Sequence, residues 1–196
     1  MSRRGNPTIE TLFVMGIVFL LQTAVDIVGL MTFLFVLAPP VDVRPWTLVT
    51  SVYAHGGLGH LLSNALALLI FGLLVERRTS RARFHAFFVT TGMLAGVAQI
   101  TLGGLAGPAQ GVLGASGAIF ALMGYVLAGN VVSATLLDRV RLSRRMQFVL
   151  AVVLAAVVTL ATGAPGVALI AHFTGLVLGL VAGRAGLLDV RNGSHK

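Results

Sequence analysis

Long apolar segments separated by short polar ones are the main feature of this chain. A membrane-crossing helix needs about 20 mostly apolar residues. Six stretches meet this requirement, at residues 11–28, 58–75, 84–104, 115–137, 146–162 and 166–183. The pattern predicts an all-α, polytopic membrane protein with six transmembrane helices, organised as a single domain over residues 1–196.

The segment between the first two spans, residues 29–57, is predicted to be an interfacial loop. The stretch of low charge that begins in the first span extends beyond residue 28 to Pro39 and Pro40. One helix over that whole length would carry Asp26 near the bilayer centre, which costs a few kcal/mol. We therefore expect the first helix to end near Asp26, followed by an interfacial element from Met31 to Leu37.

The composition agrees with a membrane protein. Apolar residues make up 57% of the chain, charged residues only 10%, and the mean hydropathy is +0.95. A soluble domain carries about 25% charged residues. A soluble enzyme and a disordered tail are thus disfavoured, and the lack of cysteine excludes disulfides and cysteine-ligated metals.

The positive charges predict the orientation of the spans. The net charge is +8, and thirteen of the fourteen Lys and Arg residues fall on one side of a six-span arrangement. Arg44 alone falls on the other side. By the positive-inside rule both termini are cytoplasmic, in a multi-pass protein of the cell membrane. The basic clusters are read as topology signals, and no nucleic acid partner is expected.

A few polar residues lie inside the spans, where they are costly and usually functional. His60 and Asn64 are four residues apart on span two, so they share a helix face. Ser116 opens span four, and His172 lies about 9 Å along span six at 1.5 Å per residue. All three spans enter from the outer side, so the pattern predicts that these side chains meet at a shallow depth.

A serine, a histidine and further donors are the groups that acyl transfer requires. The base activates the hydroxyl, and the donors stabilise the oxyanion. None of the six acidic residues is well placed beside His172, which favours a Ser-His dyad over a triad. Ala171, Gly175 and Gly179 recur every four residues, a spacing typical of close helix packing in membranes.

Three motifs, in order along residues 38–183, resemble those of the rhomboid intramembrane serine proteases. They are His55, His60 and Asn64; Gly114, Ser116 and Gly117; and Ala171, His172, Gly175 and Gly179. The resemblance implies a six-helix rhomboid fold and an endopeptidase that cleaves in or near transmembrane helices of other proteins in the lipid bilayer. It implies no cofactor and no metal, and the oligomeric state is left open.

The resemblance also implies a role for each matching residue. Ser116 would be the nucleophile and His172 the general base and acid. His60, Asn64 and the backbone N–H of Ser116 would form the oxyanion hole. The supporting positions would be Gly114, Gly117, Phe120, Ala171, Gly175, Gly179 and His55, with Phe120 against the histidine and His55 tying the loop to span two.

One departure and three alternatives accompany this interpretation. The family's Trp-Arg pair in the first outer loop is replaced by Arg44-Pro45-Trp46. The first alternative is a catalytically inactive rhomboid-like protein that binds helices. The second is a small transporter or channel, and the third is a metal site on His55, His60 and His172.

Overall fold

Apolar helices build the part of the chain that the structure, a computed structural model, describes: residues 5–105, 107, 110–128, 146, 149, 152–153, 155 and 168–190. The α-helices described are α1 (Pro7–Asp26), α2 (Met31–Phe35), α3 (Thr47–Tyr53), α4 (Leu58–Glu76), α5 (Arg81–Gly103), α6 (Ser116–Ala128) and α7 (Leu169–Arg184). Helices α1, α4 and α5 are long and apolar enough to cross a membrane, while α6 and α7 are shorter apolar helices. The predicted all-helical, polytopic membrane fold is confirmed.

Several predicted segments lie wholly or partly outside the described residues. These are residues 129–137 of the fourth span, most of the fifth span at 146–162, and residues 166–167 at the start of the sixth. Their boundaries therefore stay predictions, as does the single-domain organisation.

The first helix begins four residues earlier than predicted, and it ends at Asp26 as expected. The side chain of Asn6 accepts a hydrogen bond from the Ile9 N–H at 3.0 Å, and Pro7 fits the first helical position. At the other end Gly29 adopts a φ of +74°, a conformation that favours glycine and terminates helices. Asp26 is exposed at this end of the helix.

The predicted interfacial element forms the short helix α2, whereas α3 was not anticipated within the segment 29–57. The ring of Phe33 packs against Trp46 with 5.4 Å between centroids. The Thr50 hydroxyl donates to the Leu34 carbonyl at 2.6 Å, which joins α3 to α2. Hydropathy did not separate α3 from the loop because a helix of seven residues is too short to read as a span.

Helices α6 and α7 pack with their backbones in direct contact. A Cβ atom on Gly175 would overlap the carbonyl oxygen of Gly117, and one on Gly179 would overlap that of Ala121. The same register continues at Gly183, where a Cβ would lie 2.6 Å from the Tyr125 carbonyl oxygen. The two helices are thus parallel, and small residues every four positions allow this approach. We call these contacts the glycine seam.

The chain after α7 folds back onto the opposite end of the bundle from Ser116. The Tyr125 hydroxyl donates to Asp189 Oδ1 at 3.0 Å and accepts from the Leu188 N–H at 3.2 Å. The Val190 N–H donates to the Arg78 carbonyl at 3.0 Å. These bonds fasten the end of α7 to α6 and to the residues after α4.

The glycine seam generates a test of the packing. Gly179→Ala should destabilise the protein by about 1–3 kcal/mol because the added methyl group has no space at the Ala121 carbonyl. Gly16→Ala is the matched control, since nothing lies within 4 Å of a Cβ built on Gly16. Its thermal unfolding midpoint in detergent should stay unchanged or rise slightly. Equal midpoints for both variants would contradict the close contact.

Candidate active site

Ser116 is the first residue of α6, and the chain just before it is closely packed. The Gly114 N–H donates to the Ser51 carbonyl at 2.8 Å, and Gly114 has a φ of +128°. A Cβ built there would lie 2.9 Å from His60 Cε1 and 3.9 Å from Ser116 Oγ. Both backbone conformation and space therefore require glycine at this position, which lies between the serine and His60.

His172 lies in the first turn of α7 and is 8% exposed. Its ring is stacked on Phe120 of α6, with 4.2 Å between centroids and 16° between planes. Its Nδ1 atom is buried and has no hydrogen-bond partner among the described residues. Aromatic stacking, rather than a charged partner, thus defines the plane of this imidazole.

A cavity of about 800 Å³ brings the two residues together with part of α4. The polar side chains that line it belong to His60, Ser63, Asn64, Gln99, Gln110, Ser116 and His172. The lining contains no acidic residue within the part of the chain described. No hydrogen bond joins Ser116 to His172 in the structure as it stands.

Two α4 residues face this cavity with different hydrogen bonds. Asn64 is 7% exposed, and its Nδ2 donates to the His60 carbonyl at 2.9 Å, which leaves a second amide hydrogen available. His60 Nδ1 accepts from the Gly56 N–H at 3.4 Å. Both residues can therefore present an N–H donor to the cavity.

His55 is fully buried beside the cavity and does not line it. Its ring meets that of His60 edge-on at 5.1 Å, so it contacts the second span. Its backbone is bonded to the side chain of Gln22 on α1, a connection that the sequence did not indicate. Burial, with a smaller contribution from nearby His60, lowers the pKa of His55 to about 4, so its ring is neutral at physiological pH.

The predicted small residues fall in two places. Gly114 adjoins the cavity wall, whereas Gly117, Gly175 and Gly179 belong to the glycine seam behind it. Ala171 lies at the junction, where its N–H donates to Gln99 Oε1 at 3.1 Å.

Sequence reasoning missed two glutamines, Gln22 and Gln99. Each is a polar residue within a predicted span or its continuation, which was the signal that singled out His60 and Asn64. Neither belongs to a recognised motif. Among the described residues, no three His, Cys, Asp or Glu side chains are grouped so that they could hold a metal ion.

The fold and the site define a class: a multi-pass helical membrane protein with a serine and a histidine on one cavity between parallel helices. The model of the Rhomboid domain family matches residues 42–188, three quarters of the chain. The chain therefore belongs to the rhomboid family.

Individual relatives support this assignment. RHOMBOID-like protein 5 of Arabidopsis thaliana is 32% identical over 149 residues, which cover 76% of this chain and 46% of the relative. RHOMBOID-like protein 4 of the same plant is 30% identical over 156 residues, covering 76% and 37%. Rhomboid protease GlpG of Salmonella choleraesuis (strain SC-B67) is 32% identical over 130 residues, covering 64% and 45%. The chain spans less than half the length of these relatives.

The cavity can be tested with single cysteines, because the chain has none of its own. Ser63→Cys lines the cavity and should react with a water-soluble maleimide in protein reconstituted into lipid vesicles. Leu66→Cys on the same helix is the matched control. Leu66 is 62% exposed, but its surroundings are lipid, where a thiol stays protonated and the reagent is absent. Equal reaction at both positions would contradict a hydrated cavity bounded by lipid.

Proposed function

We propose that this protein is an intramembrane serine endopeptidase that hydrolyses peptide bonds by a Ser116–His172 dyad. The observation that carries the proposal is the cavity shared by the Ser116 hydroxyl, the His172 imidazole and two α4 donors. The printed name of one relative, rhomboid protease GlpG, points the same way, since it describes a protease.

The chemistry follows from the two side chains. Ser116 Oγ attacks the carbonyl carbon of the scissile peptide bond, and His172 accepts the hydroxyl proton. His172 then gives this proton to the leaving amine, and water hydrolyses the acyl-enzyme in a second, similar cycle. Hydrogen bonds between catalytic groups are often long in an empty site and tighten when substrate binds. The missing Ser116–His172 hydrogen bond is therefore compatible with these chemical steps.

The oxyanion of the tetrahedral intermediate needs donors aimed at it. The Ser116 N–H belongs to the first turn of α6, where backbone N–H groups have no partner within the helix. The partial positive charge at this helix end also favours a developing anion. His60 and Asn64 face the same cavity and would supply side-chain donors.

In a catalytic triad, a carboxylate orients the histidine. We assign the orientation of His172 to packing instead, because Phe120 covers one face of the ring and the glycine seam fixes the helix that carries it. A dyad is the form of catalysis that fits a cavity whose described lining residues include no acid.

The substrates proposed are transmembrane segments of other membrane proteins. A peptide bond within a helix is protected by its hydrogen bonds, so cleavage should favour segments that unwind readily near the membrane surface. From the distribution of positive charge we further propose a cell-membrane location with both termini cytoplasmic and the cavity open to the outer side.

The first test is covalent labelling of the detergent-purified protein with a fluorophosphonate probe, which requires an activated serine. Wild type should be labelled, while Ser116→Ala and His172→Ala should not. Ser63→Ala is the matched control because Ser63 lines the same cavity without a proposed role, and it should keep the label. Folded wild type without any label would favour the alternative, a catalytically inactive rhomboid-like protein that binds helices.

The oxyanion hole predicts a graded effect. Asn64→Ala should lower the rate of cleavage of a transmembrane substrate by about 10- to 1,000-fold, the cost of removing one donor. Unfolding midpoints should accompany the rates, because Asn64 is buried and also bonds to its own helix. Complete loss of activity together with aggregation would mean that Asn64 holds the bundle together instead.

A further inference from the structure

Gln22 is a buried amide on a helix whose neighbouring residues face lipid. Leu20 and Leu21 are 71% and 53% exposed, whereas Gln22 is 4% exposed. An amide that is buried without hydrogen bonds is strongly unfavourable in an apolar setting. Gln22 therefore needs partners, and which partners it has indicates what it does.

Both polar atoms of the Gln22 side chain bond to the backbone of one residue, His55. Nε2 donates to the His55 carbonyl, and Oε1 accepts from the His55 N–H at 2.9 Å. Two bonds to one residue fix the position and the direction of its backbone, as a neighbouring strand would. Gln22 thus anchors the chain just before α4 to α1.

The anchored chain continues directly into a contact with His60. The Gly56 N–H, one residue beyond His55, donates to His60 Nδ1 at 3.4 Å. A neutral imidazole carries its proton on one nitrogen and accepts on the other. Since Nδ1 accepts here, the proton of His60 lies on Nε2.

The protonated nitrogen lies beside the space that the Ser116 hydroxyl also borders. A Cβ built on Gly114 would lie 3.0 Å from His60 Nε2 and 3.9 Å from Ser116 Oγ, so both atoms border the same small space. The ring of His55 packs against the ring of His60 and supports this arrangement. Its Nδ1–H donates to the Tyr53 carbonyl at 3.0 Å, and the ring meets that of His60 at 73°.

We propose that Gln22 is a positioning residue for the site. By holding the His55 backbone it keeps the Gly56 N–H on His60 Nδ1, and so keeps His60 in the tautomer whose Nε2–H is directed toward Ser116. The catalytic consequence, a fixed oxyanion donor, rests on the proposed function; the tautomer itself does not.

The tautomer can be measured directly by nitrogen NMR on protein labelled with ¹⁵N-histidine, with the His60 signal identified by its loss in His60→Gln. Wild type should show His60 protonated at Nε2 alone. Gln22→Met keeps the side-chain length and loses both hydrogen bonds, so it should give a mixture of the two tautomers. Leu21→Met, the same new side chain on the lipid-facing side, should match wild type.

A second variant keeps the test decisive if Gln22→Met does not fold. Gln22→Asn keeps the amide but is too short by one methylene to reach both His55 groups, so it should also mix the tautomers. A single Nε2-protonated form in a folded Gln22→Met or Gln22→Asn protein would overturn the proposal.

The link to catalysis is tested by a double-mutant cycle on the rate of fluorophosphonate labelling. Gln22→Met should slow labelling about tenfold, the lower end of the range expected for the loss of an oxyanion donor. In a His60→Ala background it should change the rate by less than about twofold, because its effect passes through His60. Equal slowing in both backgrounds would indicate a general structural role and overturn the proposal. An unlabelled wild type would overturn the proposed function, and the NMR result would then decide the positioning role alone.

Discussion

The backbone contact between α6 and α7 is the constraint on which the rest of the site depends. Helices in a bilayer have no hydrophobic force to bring them together, so close packing and polar contacts must do so. Gly117 meets Gly175 at the end of the glycine seam nearest the cavity. Ser116 directly precedes the first of these residues, and His172 lies one turn before the second. Their proximity is therefore a geometric consequence of the seam, not of an attraction between them.

Hydrogen bonds from two glutamine side chains to the main chain hold the remaining wall of the cavity in place. Gln22 holds the chain before α4, and Gln99 holds the first turn of α7 through the Ala171 N–H. The α4 donors and the histidine are thus tied to α1 and α5 respectively. In a low-dielectric setting such bonds are strong and costly to leave unmade, which makes the surrounding helices a rigid frame.

Much of this architecture follows from the sequence because the bilayer imposes simple rules. The cost of a carboxylate in lipid predicted that the first helix ends near Asp26. Loop charge together with hydropathy predicted a common depth for Asn64, Ser116 and His172. The helix α3 and the roles of Gln22 and Gln99 could not be predicted in the same way. A glutamine's partner here is a backbone group 33 or 72 residues away, and hydropathy carries no information about such pairs. The stacking of Phe120 on His172 came from family resemblance, since spacing alone does not orient a ring.

The absence of a carboxylate from the described residues of the site has a physical advantage in this position. An ionised acid beside His172 would need its own hydrogen bonds and would pay a desolvation cost among apolar helices. Stacking on Phe120 constrains the imidazole without adding a charge, and it gains from the apolar surroundings that would penalise an acid. The consequence is that the orientation of the proposed base depends on how closely α6 and α7 pack. Stability of the helix pair and competence of the site are then two effects of the same few glycines.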